Sequence, residues 1–267
     1  QIEWRKTCVD KTFVKVVPKK TSGDVLSIDI ELYKKGGELI LENYFFNSNV
    51  NNGGVIELNL ETHEIVNIFN SENSTIGGLQ GIYNEDWASN YSTINQIIKS
   101  NNTVWVVNPY DEAFGDVLSS YNLLSYQWDG VNVENDSDDS YTLYMPQEIA
   151  FDTNNQLWVS FISKSTLSSD PELYSYGGIR YVNSNNQFTE VENDEILIGG
   201  EKSNVWSIDI CNYNGFDILW VLTSDGVQGY TIFSNQLSPI SSMDLFTEVP
   251  FVAGDHIRCD QYSNVWI

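Results

Sequence analysis

Short apolar segments alternate with polar residues along this chain. Each runs into a polar turn and then into a second apolar segment. The clearest case is His256-Ile257-Arg258-Cys259-Asp260, then Gln261-Tyr262-Ser263, then Asn264-Val265-Trp266-Ile267. The same phrase recurs as Glu148 to Asp152 followed by Gln156 to Val159, and as Gln96 to Ser100 followed by Thr103 to Val106. A fourth copy runs from Ser207 to Cys211 and reaches Leu219-Trp220-Val221. A fifth runs from Ser27 to Glu31 and reaches Leu39-Ile40-Leu41, with Ile40 where the others carry Trp. Period-two alternation rich in Val, Ile, Tyr, Phe and Trp, broken by Asn, Ser, Asp and Gly clusters, predicts strands and turns. Helical periodicity is almost absent, and Gly78 to Ser92 is the least readable stretch.

The central isoleucines of the first segments, Ile28, Ile97, Ile149, Ile208 and Ile257, are 69, 52, 59 and 49 residues apart. These intervals fit one four-stranded antiparallel sheet per repeat, with loop insertions. In the third unit the strands read as Gln147 to Phe151, Leu157 to Phe161, Gly178 to Val182 and Gln187 to Val191. Gly54, Gly178 and Gly226 each open a third strand, where a turn needs positive φ. Such a sheet is apolar on both faces, and neighbours on each side must bury it. The predicted architecture is therefore an all-β propeller of five blades, or a piece of a larger one.

The phrase Ile-x-x-Asp, a polar turn, Asn-Leu/Val-Trp-Val/Ile and then Thr-x-x-Gly-Val resembles the repeat of two-component regulator propellers. Leu219 to Val227 is the fullest match. Similar repeats occur in propellers of type IX secretion-associated proteins. The resemblance covers most of residues 24 to 267 and implies an extracytoplasmic location and a sensor or scaffold role. The first unit departs by lacking the Trp, and the strand-ending Asp is replaced by Ser100, Cys211 and Glu31 in three units.

Residues 1–267 read as one domain. The opening segments Gln1 to Arg5 and Phe13 to Val17 read as a third and a fourth strand, so residues 1–17 are expected to complete the last blade. A start at Gln1 reads as processing or as a cut fragment. Acidic residues outnumber basic ones by 37 to 13, for a net charge of −24, which argues against nucleic acid and anionic membrane surfaces as partners. No apolar run approaches the ~18 residues of a membrane span. Cys8, Cys211 and Cys259 show no framework spacing, and the last two are expected to be small strand residues rather than a bonded pair.

Candidate chemistry lies on the polar face of the first strands, expected to line a central channel. The candidate ligand-binding residues are Asp29, Glu148, Asp209, His256 and Arg258. One reading is a wet channel with self-paired charges, for example Arg258 with Asp209. The other is a ligand site at a channel mouth for a glycan, peptide or protein. An enzyme alternative takes two of Asp29, Glu148 and Asp209 as the carboxylate pair of a glycoside hydrolase. A third alternative is a Ca²⁺-held cell-surface module, resting on the candidates Asp136 and Asp138, whose loop lacks the Gly and Glu of a calcium motif. No catalytic motif or cofactor site is recognised. Trp105, Trp158, Trp220 and Trp266 share one repeat position and are expected as wedges between blades. Trp87 and Trp128 lie off that register, as candidates for surface stacking.

Overall fold

The computed structural model describes residues 14–20, 26–32, 38–43, 54–59, 64–70, 82–84, 89–91, 94–108, 118–131, 145–162, 164–165, 174–175, 177–200, 203–240, 251, 254–260 and 262–267. Its strands form successive antiparallel sheets. Blade 1 comprises Glu38–Asn43, Gly54–Asn59 and Glu64–Phe69. Blade 2 comprises Gln96–Ser100, Thr103–Val107, Leu118–Asn122 and Gln127–Gly130. Blade 3 comprises Pro146–Phe151, Leu157–Phe161, Gly178–Val182 and Phe188–Glu190. Blade 4 comprises Val205–Tyr213, Phe216–Thr223, Gly226–Phe233 and Gln236–Pro239. A hairpin of Arg258–Cys259 and Val265–Trp266 begins blade 5. Blades 2, 3 and 4 are four-stranded, and the first strand of each packs beside the first strand of the next. This is a β-propeller architecture, as the repeat spacing predicts.

The reason is visible in the second strands. In blade 3, Leu157, Val159 and Phe161 point back into a core shared with Val107, Leu118 and Val131 of blade 2. Trp158, between them in sequence, points forward against Ile208, Leu219 and Tyr230 of blade 4. Leu219 and Val221 of blade 4 face back to blade 3, while Trp220 and Leu222 face forward to Phe251 and Ile257. A period-two strand with both faces apolar cannot stand alone in water, so each sheet is buried only by its neighbours. The described core is a row of such interfaces, not one central mass.

The strand-ending Asp of the repeat closes the first turn. Asp152 Oδ1 accepts the N–H groups of Asn154 (2.8 Å) and Gln156 (2.9 Å), and Oδ2 accepts the Trp158 indole N–H (3.2 Å). Asp260 does the same for Tyr262, Asn264 and Trp266. The left-handed residues of these turns, Asn155 and Ser263, both have φ 61°. The Asn264 side-chain amide, donating to Oδ2 at 2.9 Å, contributes most to holding the Asp260 carboxyl down at about 2, with the Asn264 and Tyr262 backbone N–H groups and the Trp266 indole adding to it. Gly54, expected at the head of a third strand, opens the second strand of blade 1; its φ is +139°, and a Cβ would lie 1.9 Å from the Phe69 carbonyl oxygen.

Several expectations need correction. The strand containing Ser27 to Glu31 pairs with Val14–Lys20, and Glu38–Asn43 pairs with Gly54–Asn59. A seven-residue antiparallel partner (Val14–Lys20) lies a few residues upstream, which keeps the loop-closure cost low. The expected sharing of one sheet by the two ends falls partly on residues 1–13, outside the described residues. Trp158 and Trp220 are the expected wedges, but Trp105 is half-buried and Trp266 is 63% exposed. Trp128 is no surface platform, being buried against Phe69 and Tyr121 at 5.3 and 5.0 Å between centroids. Trp87 is outside the described residues.

Cys211 and Cys259 form a disulfide, with Cα atoms 5.8 Å apart, between the first strands of blades 4 and 5. No motif spacing announces it, because the partners meet across blades. The bridge closes a loop of 48 residues and constrains the unfolded chain. Replacing both cysteines by serine should lower unfolding free energy by about 2–4 kcal/mol. Urea titration of the parent and the double variant measures this, and reductant should reproduce the loss in the parent alone.

Candidate functional site

An innermost strand pairs with its own second strand on one edge only. The other edge presents backbone N–H groups with no strand partner, and burial makes an unmet N–H costly. This chain meets them with side chains from the preceding blade. The Ile149 N–H donates to Gln96 Oε1 (2.6 Å), the Ile208 N–H to Glu148 Oε2 (3.2 Å) and the Ile257 N–H to Ser207 Oγ (3.0 Å). In every case the acceptor stands one residue before the repeat isoleucine of one blade, and the donor is the repeat isoleucine of the next. Asp209 adds a fourth tie, its Oδ2 accepting the Cys259 N–H at 2.7 Å. The polar face of the first strand thus looks toward the following blade. Gln96, Glu148 and Ser207 are all buried there.

Glu148 is the junction of three blades. Arg258 grips it with both nitrogens, Nη2 to Oε1 at 2.5 Å and Nη1 to Oε2 at 2.8 Å. His256 Nδ1 lies 2.8 Å from Oε1; an ionised carboxylate only accepts, so Nδ1 carries the hydrogen. The Ser207 hydroxyl donates to Oε2. Arg258 Nη1 also reaches Ser207 Oγ (3.0 Å) and the Ile257 carbonyl (2.6 Å). The Glu148 N–H is held by Ser160 Oγ at 3.0 Å. The Glu148 side chain is 4% exposed, while those of Arg258 and His256 are 42% and 57% exposed. The cluster is therefore closed on its acidic side and open on its basic side.

Burial pushes the Glu148 carboxyl up, but the Arg258 and His256 hydrogen bonds, the Arg258 charge and the Ser207 hydroxyl outweigh it. The carboxyl is held below the usual range. Asp209 moves the other way. Burial raises it, and the Glu148 charge adds to that, against the Cys259 and Ile210 N–H groups and the Arg258 charge. An ionised, four-way-paired Glu148 can anchor strands and hold Arg258 in place, and it has no proton to give.

The structure brings Glu148, His256 and Arg258 into contact and sets Asp209 beside them through Cys259. The self-pairing expected of the charges occurs, with Glu148 rather than Asp209 as the direct partner of Arg258. Asp29 lies on the Leu26–Leu32 strand, where only its backbone is described. Asp136 and Asp138 fall outside the described residues. Among the described residues no group of three metal-ligating side chains forms. Sequence reasoning missed the direction of the polar face; the signal was the polar residue preceding each repeat isoleucine.

A separate groove of about 370 Å³ opens between blades 2 and 3. Trp105 and Phe151 form its floor, with ring centroids 6.2 Å apart and edge to face. Asn155, Ser184 and Asn186 from two turns of blade 3 stand on its rim.

No family model and no curated protein sequence matches the chain. Among solved structures, similarity is found to a GH74 xyloglucanase from Xanthomonas campestris, at 7% identity and TM-score 0.45, covering 86% of this chain and 36% of that one. It is also found to the extracellular domain of a hybrid two-component system protein from B. thetaiotaomicron, at 15% identity and TM-score 0.36, covering 95% and 34%. The chain spans about a third of the length of each. The propeller assignment rests on this chain's own sheets and interfaces.

Because the folded Glu148 carboxyl titrates below its unfolded counterpart, its contribution to stability is full above the unfolded value, 4.5, and is lost as pH falls through the lower folded value. Glu148→Gln should cost about 2–3 kcal/mol at pH 7, less than a fully buried pair because Arg258 is partly solvated. The difference from the parent should shrink below pH 4, as urea denaturation at pH 7 and pH 3 can measure.

Proposed function

We propose that this chain is a non-catalytic, extracytoplasmic ligand-binding propeller of the two-component regulator kind, acting as a sensor or scaffold domain. The observation that carries the reading is the commitment of Gln96, Glu148, Ser207 and Asp209 to cross-blade ties. Of the three carboxylates that suggested reactive chemistry, Glu148 and Asp209 are occupied in joining blades. The disulfide supports location, since such bridges persist in oxidising compartments. Leu219 to Val227 support the repeat family by spanning the second strand, turn and third-strand opening of blade 4. The partner is a glycan, peptide or protein, and the chain's acidity disfavours nucleic acid.

One observation favours a hydrolase. Asp209 is raised while Glu148 is lowered, the divergence that an acid and a base would need. Against it, Asp209 Oδ1 and Oδ2 accept the Ile210 and Cys259 N–H groups, at 2.9 and 2.7 Å. Nothing described favours the Ca²⁺-held module. Incubation with a panel of plant and microbial polysaccharides, followed by reducing-end analysis, should give no products. Hydrolysis that Asp209→Asn abolishes would overturn the non-catalytic reading.

A further inference from the structure

The groove between blades 2 and 3 stands apart from the Glu148 cluster, and its chemistry differs. The same repeat position that buries Trp158 completely and Trp220 almost completely leaves Trp105 only partly buried. At Trp158 and Trp266 the strand-ending Asp accepts the indole N–H. At Trp105 that position is Ser100, and no described residue accepts the indole N–H. Among the described residues, the groove thus has an aromatic floor and one indole N–H without an acceptor.

Its rim supplies further uncommitted polar groups. The Asn155 and Ser184 side chains have no partner among the described residues. Asn186 is fixed by donating to the Gly130 carbonyl at 2.7 Å and, more weakly, to Asp129 Oδ2 at 3.5 Å, which leaves its own amide oxygen facing no described donor. Among the described residues no charged side chain lines the cavity, although the chain as a whole carries a net charge of −24. A volume of about 370 Å³ lies within the roughly 300–1,000 Å³ of small-molecule sites. An aromatic floor takes the C–H face of a sugar ring by apolar contact, and amides and hydroxyls around it take the ring's hydroxyls.

We infer that the groove floored by Trp105 and Phe151 and rimmed by Asn155, Ser184 and Asn186 binds an uncharged saccharide. The inference rests on the binding-propeller reading and names its ligand class and site. Exposed aromatics on turns at the same end of neighbouring sheets, Tyr126, Tyr213, Phe216 and Tyr262, offer further platforms along that end.

The test is calorimetric titration of the intact chain with short neutral oligosaccharides of glucose, xylose, mannose, galactose and N-acetylglucosamine, with galacturonate oligomers as the charged control. The same titrations are made on Trp105→Phe, Trp105→Ala and Asn155→Gly. Glycine suits the φ of 61° at residue 155, so this last variant keeps the turn. Thermal melts confirm which variants remain folded. The expected result is binding of at least one neutral oligosaccharide, weakened tenfold or more by Trp105→Ala and severalfold by Asn155→Gly and Trp105→Phe. No binding by any neutral probe overturns the inference, as does equal binding of galacturonate. Saccharide binding that Asn155→Gly and Trp105→Phe leave unchanged overturns this site while leaving the binding-propeller reading intact. Cleavage of a bound probe overturns the non-catalytic reading instead.

Discussion

The free edge of the innermost strand is the constraint on which this structure depends. An ordinary sheet satisfies such an edge with water or another strand. Here the first strand of the preceding blade lies beside it without pairing as a strand. A side chain from that neighbour must reach the N–H instead. Gln96, Glu148 and Ser207 do this with three different functional groups at one repeat position. All three are buried, so losing an acceptor leaves a donor with no route to water. The apolar interfaces supply the driving force for stacking, but they are non-directional; the ties fix how one blade sits on the next.

The reinforcement is densest between blades 3, 4 and 5. Glu148 joins three blades through one carboxylate, and the Cys211–Cys259 bridge lies two strand positions along the same seam. Thr153 of blade 3 adds a turn-level tie to Asp217 of blade 4, at 2.6 Å through its hydroxyl. The seam between blades 2 and 3 shares a buried apolar core and is tied by neutral amides, Asn95 to Gln147 and Asn186 to Gly130 among them. Its inner tie is a neutral amide, and its outer part opens into the Trp105 groove. A repeat protein can hold some seams shut and leave another open for a ligand, because each interface is nearly independent.

Much of the fold was legible because the repeat is written in period-two alternation. The strands of blade 3 were placed within a residue or two, and the glycines opening third strands do carry positive φ. The polar set was legible as a set but not in its direction. Alternation assigns residues to two faces without saying what each face meets; here Gln96, Glu148 and Ser207 meet the next blade, while His256 and Arg258 stay partly open. The disulfide and the Ser27 strand pairing were not legible, since both depend on contacts that local spacing does not encode. Trp105 shares its repeat position with buried tryptophans, so only the packing of blade 3 distinguishes it. The loss of the Asp at Ser100 was the sequence signal that its indole N–H lacks the usual partner.

Amide hydrogen exchange by NMR tests the central claim most directly. The account predicts that the N–H groups of Ile149, Ile208 and Ile257 are as protected as those paired within blades. It also predicts that Glu148→Ala, under conditions where the variant is folded, selectively accelerates exchange at Ile208. Rapid exchange at all three positions in the parent, or an Ile208 amide indifferent to the loss of Glu148, would contradict it.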